Sequence, residues 1–410
     1  MARRAPKVTV REFPTDSGCA RVRSLAGRNL ALAFTCGALL TLAWPARGVE
    51  PGATMEPQAH VTRGASPGNE SSSDRAILAL GQTLFFDARL SRDGSTSCAS
   101  CHQPAHYFSD GLTTSRGVDG AIGSRNAPSV LNVSQTESQF WDGRAETLEQ
   151  QASSPLVNAR EMAMPSLQAV VENVRGGDDY GPLFGAAFGV HDLGGIRIEM
   201  IAMALAEYER SLNVADSPFD RAAFGGQSGV LSRRAERGRR LFTGAAGCSS
   251  CHLVGHDAAT FTDNRFHSLS VGLQSLGDRL ASLTLQVVEL RRQGRSPDDI
   301  VLADPEYAAL GRFIVTLKPT DLGAFRTPSL RNVAMTAPYM HDGSVPTLAE
   351  AVDDEVYYRS NERGHPLLLT PTERGDLVAF LESLTSPLDQ VLAKAPPSAR
   401  SLTTVAPVSK

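Results

Sequence analysis

The sequence Cys98-Ala99-Ser100-Cys101-His102 decides the fold of this 410-residue chain. Two cysteines separated by two residues, with a histidine directly after them, form the attachment signature of a c-type haem. One helical turn presents both thiols to the two vinyl groups of a porphyrin, and the next residue directs an imidazole at the iron. His102 is then the predicted ligand of the iron. The motif alone leaves a zinc half-site and a redox dithiol as alternatives.

A second copy of this motif, Cys248-Ser249-Ser250-Cys251-His252, lies about 150 residues further on. Each copy follows a Gly-x-x-Leu-Phe segment, which begins at Gly81 in the first case and at Gly238 in the second. Two copies of one unit predict an all-α fold with two cytochrome c-like domains in tandem, each wrapping one covalently attached c-type haem. A zinc site built from all four cysteines would leave both histidines unexplained, and a redox dithiol would need a βαβ pattern that the sequence lacks.

The N-terminal 46 residues are typical of an export signal. They hold seven Lys and Arg, and an apolar run follows from Leu30 to Ala43. This run of ~14 residues is short for a membrane span of ~20, although an uncleaved membrane anchor is the alternative. Because c-type haem is attached outside the bacterial inner membrane, we expect a periplasmic protein. Without residues 1–46 the formal charge falls from −4 to −9, which argues against a nucleic-acid partner.

Composition divides the rest of the chain into four parts. They are a flexible linker at 47–73, an N-terminal cytochrome c-like domain at 74–225, a C-terminal cytochrome c-like domain at 226–395 and a disordered tail at 396–410.

Apolar residues at helical spacing predict several helices within the two domains. Asp74–Phe86 opens the first domain, and 197–224 closes it. An added surface helix is expected around 273–295 in the second domain. The capping box Thr370-Pro371-Thr372-Glu373 opens the last helix.

Four further motifs follow one another along the chain. They are Arg125-Asn126-Ala127-Pro128, Gln139-Phe140-Trp141-Asp142-Gly143-Arg144-Ala145, Gly323-Ala324-Phe325-Arg326-Thr327-Pro328-Ser329-Leu330-Arg331-Asn332 and Ala337-Pro338-Tyr339-Met340-His341-Asp342-Gly343-Ser344. With these motifs, residues 75–385 resemble the bacterial di-haem cytochrome c peroxidase/MauG family.

The resemblance implies a division of labour between the two haems. The haem held by His102 is the one that reacts with peroxide, and the haem held by His252 transfers electrons. Trp141 matches a tryptophan that relays electrons between them, although a buried core tryptophan is the simpler interpretation. Gln151 and Glu161 match the pair of side chains beside the peroxide-reacting iron. A Glu in an apolar haem pocket suits proton transfer, whereas most Glu side chains lie at the surface.

The resemblance also implies one calcium ion between the domains. Asn126, Thr336 and Pro338 match the positions whose oxygen atoms hold it, and neutral oxygens suit this hard cation. His341 is expected to be structural rather than an iron ligand.

The chain departs from the better-known peroxidases of the family at two positions. Those proteins carry a histidine that covers the peroxide-reacting iron, and Val118 stands in its place here, with no histidine between His106 and His191. We therefore expect an open coordination position on the first iron. The second departure is Glu355, which stands fourteen residues after His341, where those peroxidases have a Met and MauG-like proteins a Tyr.

A tyrosine is the predicted sixth ligand of the second iron. Tyr358 is favoured slightly over Tyr357, and packed aromatic side chains are the alternative. A tyrosine oxygen, unlike a methionine sulfur, favours ferric iron.

Three functions follow from this pattern. The first is a peroxidase-family oxidoreductase that reacts with hydrogen peroxide and takes electrons from a small cytochrome c or copper protein. The second is a MauG-like enzyme that uses peroxide to oxidise side chains of a partner protein. The third is a non-enzymatic di-haem electron carrier, which would not need the Gln151 and Glu161 pair. The pattern is also compatible with a homodimer.

Overall fold

The computed structural model describes residues 71–363 and 366–392, which are mainly helical. These residues form sixteen α-helices: α1 (Ser72–Phe85), α2 (Cys98–Cys101), α3 (Leu148–Val157), α4 (Leu167–Arg175), α5 (Tyr180–Phe188), α6 (Ile198–Ser211), α7 (Pro218–Ala223), α8 (Arg233–Thr243), α9 (Leu273–Leu276), α10 (Leu280–Arg292), α11 (Pro297–Ala303), α12 (Pro305–Ala308), α13 (Phe313–Thr316), α14 (Leu348–Arg363), α15 (Pro371–Glu382) and α16 (Asp389–Leu392). Short 3-10 helices and loops connect them.

One small sheet modifies the predicted all-α fold. Strand β1 (Phe266–Ser268) pairs antiparallel with strand β2 (Ala324–Arg326), and His267 lies opposite Phe325. Each strand has only three residues, which is too short for an alternating apolar pattern to be visible in the sequence. The prediction of a helical protein holds, with this sheet as an addition.

A glycine lets the first helix of each half approach a later helix closely. A Cβ atom on Gly81 of α1 would lie 1.8 Å from the carbonyl oxygen of Ala204 in α6. On Gly238 of α8 it would lie 1.9 Å from the carbonyl oxygen of Asp376 in α15. Only glycine permits such contact with another backbone. The two Gly-x-x-Leu-Phe segments therefore mark the same structural unit, as the repeat predicts.

The apolar side chains form three clusters. One is centred on α1 and α6, the second on α8 and α15, and the third on α9 to α13. The third corresponds to the added helix predicted around 273–295, which is one of several short helices with their own core. The predicted capping box at Thr370 and Glu373 also begins α15.

Two short segments pack across the predicted boundary between residues 225 and 226. Phe219 of α7 belongs to the second cluster, where it contacts Phe261 and Phe380. Leu388 and Val391, near the end of the described chain, belong to the first cluster. The chain therefore exchanges a segment between its halves in each direction, while the domain limits themselves stay a prediction.

Several predictions concern residues outside the described ranges. These are the export signal at 1–46, nearly all of the linker at 47–73 and the tail at 396–410. Among the residues that the structure describes, no helix is long and apolar enough to span a membrane.

We expect Gly81→Ala to lower the melting temperature of the haem-loaded protein. The new methyl group meets the Ala204 carbonyl, so α1 and α6 must separate, at a cost of about 1–3 kcal/mol or more. Calorimetry measures the change. Gly181→Ala in α5 is the control, because its Cβ would find its nearest neighbour at an ordinary 3.5 Å. An unchanged melting temperature for Gly81→Ala would contradict the close packing.

Candidate active site

The two haem-attachment motifs face one continuous cavity of about 450 Å³. Its wall includes all six residues of the two predicted attachment sites, namely Cys98, Cys101, His102, Cys248, Cys251 and His252. Two sites that lie far apart in the sequence thus open into a shared space. The arrangement is suited to electron transfer between two cofactors.

Each motif histidine is oriented by a backbone carbonyl. Nδ1 of His102 donates to the carbonyl oxygen of Phe108 at 3.1 Å, and Nδ1 of His252 donates to that of Phe261 at 2.9 Å. Both phenylalanines adopt positive φ, of 58° and 54°. Since a carbonyl only accepts hydrogen bonds, the proton resides on Nδ1, and Nε2 remains as the metal ligand. Burial lowers the pKa of both imidazoles, to about 4 for His252, which favours the neutral form that binds iron.

The cysteines fit haem attachment better than either alternative. Burial raises the pKa of the Cys98 thiol and raises that of Cys101 to about 11, so neither resembles the activated thiolate of a redox dithiol. No disulfide joins the four described cysteines. Within the described ranges, the only group of three metal-binding side chains is Cys251, Asp263 and His267, so the two cysteine pairs do not form a zinc site.

A buried arginine in the cavity wall also fits a haem. Nε and Nη1 of Arg326 are buried and have no hydrogen-bond partner, and burial lowers the pKa of this guanidinium to about 10. A buried cation is costly unless an anion accompanies it. Haem carries two propionate groups, so this side chain suits the cofactor that the motifs predict.

Glu161 and Gln151 both lie in the cavity wall, as predicted. Burial raises the pKa of Glu161 to about 7, while Arg144 opposes this effect and Asp298 reinforces it. The negative charge of Glu161 adds to the raised pKa of the Cys98 and Cys101 thiols. The carboxyl group of Glu161 therefore lies near the first motif. A carboxyl group that titrates near neutral pH can both accept and donate a proton.

The loop with the missing histidine packs directly against Glu161. The backbone N–H of Val118 donates to the Glu161 carbonyl at 2.8 Å, and a Cβ on Gly117 would lie 2.4 Å from the same oxygen. Val118 is buried and is not part of the cavity wall, and His106 is exposed. This loop therefore brings no histidine to the first motif.

Trp141 also lines the cavity and touches both halves of the chain. Its Nε1 donates to the carbonyl oxygen of Asn126 at 2.9 Å, and its own carbonyl accepts from the backbone N–H of Arg326 at 2.8 Å. This position in the shared wall is compatible with the predicted electron relay.

A buried ion cluster follows Trp141. The fully buried Asp142 carboxylate accepts from Nη1 of Arg125 at 2.7 Å and from Nη1 of Arg144 at 3.1 Å. Burial alone would raise the pKa of Asp142, but the two guanidinium groups hold it at about 2. Nε of Arg144 donates in turn to Asp298 at 2.6 Å. Asp298 belongs to α11, and Val301 and Leu302 of the same helix line the cavity.

Comparison with known proteins supports this site. The sequence profile of the family described as di-haem cytochrome c peroxidase matches residues 75–228. The methylamine utilization protein MauG of Methylorubrum extorquens is 40% identical over 314 residues, which cover 75% of this chain and 77% of that protein. Cytochrome-c peroxidase IdrP1 of Denitromonas iodatirespirans is 34% identical over 389 residues, or 88% of this chain and 94% of that protein.

The chain belongs to the di-haem cytochrome c peroxidase/MauG family. A solved structure with the same fold is that of a MauG-like protein associated with microbial copper homeostasis. It has a TM-score of 0.60 and 31% identity, and the match covers 78% of this chain and 91% of that one. The resemblance found in the sequence is thereby confirmed. The protein is a peroxidase-family oxidoreductase, and its family implies two haems and peroxide as substrate.

The three calcium positions implied by the family, Asn126, Thr336 and Pro338, all lie in the cavity wall. Nδ2 of Asn126 donates to the carbonyl oxygen of Leu112 at 2.8 Å, which orients its amide group. The adjacent His341 is buried and stacks on Phe325 with ring centroids 3.7 Å apart, as expected for a structural residue.

The predicted tyrosine ligands of this di-haem protein lie outside the cavity wall. Helix α14 turns Glu355 and Arg359 toward the cavity, whereas Tyr357 is 58% exposed and packs edge-on against Tyr358. Nη2 of Arg359 donates to Ser250 in the second motif at 2.6 Å, so this face of α14 adjoins that motif. The placement gives the tyrosine ligand no support, and it stays a prediction.

Four charged residues of the site were missed from the sequence, namely Glu209, Asp298, Arg326 and Arg359. Glu209 offered a signal, because it stands four residues after Leu205 on the apolar face of a predicted helix. Asp298 and Arg359 gave none, since their partners are distant in the chain. Arg326 stands inside a family motif, but the motif assigned it no role.

We expect Asp298→Asn to lower the pKa of Glu161. The substitution removes a negative charge that raises this pKa and leaves Arg144 with one counter-ion fewer. If Glu161 acts as a base, the reaction with peroxide slows as Glu161 becomes protonated. The acidic limb of the pH–rate profile should therefore move to lower pH in this variant. Stopped-flow measurement from pH 5 to 9 tests this. Asp257→Asn, at an exposed site, is the control and should leave the pH–rate profile unchanged. An unchanged profile in Asp298→Asn would contradict the electrostatic coupling between Asp298 and Glu161.

Proposed function

We propose that the protein is an exported di-haem c-type peroxidase in which hydrogen peroxide reacts at the haem held by Cys98, Cys101 and His102. The observation that carries this proposal is Glu161, a carboxyl group in the cavity wall near the first motif with a pKa of about 7. The haem, when bound, supplies the iron that binds peroxide and accepts or donates electrons. The chain supplies the proton transfer and the positioning.

Glu161 and Gln151 divide the work on peroxide. Glu161 as carboxylate accepts the proton of the bound oxygen, and as carboxylic acid it returns that proton to the departing oxygen. The backbone N–H of Val118 donates to the backbone carbonyl of Glu161, and Gly117 packs against the same oxygen, so the loop fixes the main chain that carries the carboxyl group. Gln151 carries no charge and orients peroxide by hydrogen bonding.

Electrons reach this site along the wall that contains Trp141. The indole donates to the carbonyl oxygen of Asn126, and the backbone carbonyl of Trp141 accepts from the N–H of Arg326 in the other half of the chain. The haem held by Cys248, Cys251 and His252 is the second redox centre. A small cytochrome c or copper protein is the proposed electron donor, and the chain can act as a homodimer.

Calcium binding and export complete the proposal. Asn126, Thr336 and Pro338 supply oxygen atoms for one calcium ion at the junction between the halves. The basic and apolar pattern of residues 1–46 supports export to the periplasm, where c-type haem is attached.

Oxidation of a partner protein's side chains is the second candidate function. Two observations favour it: the 40% identity with a MauG protein and the absence of any methionine after Met340. Turnover of peroxide with reduced cytochrome c separates the two functions, because rapid oxidation of the donor would exclude this alternative. A purely electron-carrying role is disfavoured by Glu161 and by the peroxidases among the relatives.

We expect Glu161→Gln to slow the reaction with peroxide by about 10²–10⁴-fold, because glutamine cannot transfer the proton. Stopped-flow bleaching of the ferric haem band measures the rate. In the unchanged protein this rate should rise as the pH passes through about 7, where the carboxylate forms. Glu146→Gln, at an exposed position just before α3, is the control. A Glu161→Gln protein with normal haem content and an unchanged rate would refute the assignment.

The first iron should be high-spin in the resting ferric protein. Val118 supplies no ligand in place of the histidine, and no other histidine lies between His106 and His191. Electron paramagnetic resonance of the haem-loaded protein should therefore give one high-spin signal. Cyanide should convert that signal to low-spin without prior reduction. A resting spectrum with low-spin signals alone would show that another side chain occupies the position.

A further inference from the structure

Glu209 is a buried carboxyl group at the cavity wall that the mechanism above does not use. Helix α6 is otherwise apolar where it faces the core, and Glu209 is its only residue in the cavity wall. The residue is 5% exposed, and its Oε2 atom has no hydrogen-bond partner. A buried polar atom without a partner is costly, so its retention needs an explanation.

Within the described part of the chain, no cation forms an ion pair with Glu209. The neighbouring Arg210 directs Nη2 to Glu149 at 2.6 Å and Nη1 to Glu207 at 2.7 Å. Burial raises the pKa of Glu209 to about 8, Arg210 opposes this effect and Glu149 adds to it. Glu209 therefore carries a proton at neutral pH and faces the same cavity as Glu161. The negative charges of Glu161 and Glu209 both raise the pKa of the Cys98 thiol, so both carboxyl groups lie near the first motif.

The reaction needs protons from outside the cavity. This inference rests on the proposed peroxidase function. In the reduction H₂O₂ + 2 H⁺ + 2 e⁻ → 2 H₂O, the O–O bond breaks, a reduced donor protein supplies both electrons, and both oxygens leave as water. Glu161 can move a proton from one oxygen to the other, but it cannot supply the two that are consumed. Solvent must deliver these through the protein.

We propose that Glu209 relays protons from the surface at Glu149 to the cavity near the first haem. Glu149 is half-exposed and lies on α3, two residues before Gln151, and α3 packs against α6. Glu209 follows in the wall of the cavity, and its Oε2 atom forms no hydrogen bond with the described residues. It gives its proton to the cavity and is reprotonated from the Glu149 side.

Glu209→Gln in the haem-loaded protein is the direct test, because glutamine keeps the shape and cannot relay a proton. We expect kcat for peroxide reduction with reduced cytochrome c to fall on the order of tenfold or more, with a larger solvent deuterium isotope effect. Small weak acids such as formic acid should restore part of the rate. Glu199→Gln, at an exposed position in the same helix, should behave like the unchanged protein.

Glu149→Gln tests the same path without altering Glu209. It removes a charge that raises the pKa of Glu209, and it leaves Arg210, whose positive charge lowers that pKa, with one counter-ion fewer. The decrease of kcat at alkaline pH should therefore begin at lower pH than in the unchanged protein. This variant also decides the question if Glu209→Gln fails to fold.

The outcomes separate the relay from the peroxidase function. If the unchanged protein does not reduce peroxide, the proposed function itself fails. If it does, and Glu209→Gln keeps its kcat and isotope effect, the relay is refuted. A loss of kcat without a larger isotope effect and without rescue by weak acids would assign Glu209 a structural role, and would also overturn the relay.

Discussion

The structure depends on the burial of one carboxylate, Asp142, between two guanidinium groups. A fully buried charge is tolerated only when it is paired and hydrogen-bonded. Arg125 donates to one oxygen of this carboxylate and Arg144 donates to the other. The backbone next to this carboxylate binds the second half of the chain, since Nη1 of Arg312 donates to the carbonyl oxygens of Asp142 and Gly143. The ion cluster thus fixes Trp141 in the shared wall. The position of Trp141 and the join between the halves depend on the same few residues.

Most of the site could be predicted from the sequence because its parts are local. A haem-attachment motif, the glycine before it and a capping box each lie within a few residues, and the first two of these occur twice in the chain. The carbonyl of Phe108 that orients His102 and the carbonyl of Phe261 that orients His252 show that even the supporting hydrogen bond is repeated. Of the side chains that the family resemblance singles out, Trp141, Gln151 and Glu161 lie in the cavity wall, whereas the two tyrosines do not.

The remaining features depend on contacts between distant segments. Asp298 meets Arg144 across 154 residues, and Arg326 reaches the cavity from a three-residue strand, so neither is visible in local spacing. The exchanged packing of α7 and of Leu388 and Val391 hides the limit between the halves for the same reason. For the tyrosines, the rotation of α14 about its axis is not visible in the sequence. Helix α14 turns Glu355 and Arg359 toward the cavity. The predicted tyrosines at 357 and 358 lie between these two residues in the sequence and are not part of the cavity wall.

Two identical motifs acquire different chemistry from the charges around them. Near the first, the carboxyl groups of Glu161 and Glu209 lie without direct partner cations in the cavity, and burial gives them pKa values of about 7 and about 8. Near the second, Arg359 binds Ser250 and its positive charge adds to the burial that keeps His252 neutral. Proton-coupled chemistry is therefore favoured at the first iron and plain electron transfer at the second. The proposed division of labour rests on three side chains outside the motifs, Glu161, Glu209 and Arg359, which is why motif matching alone cannot assign it.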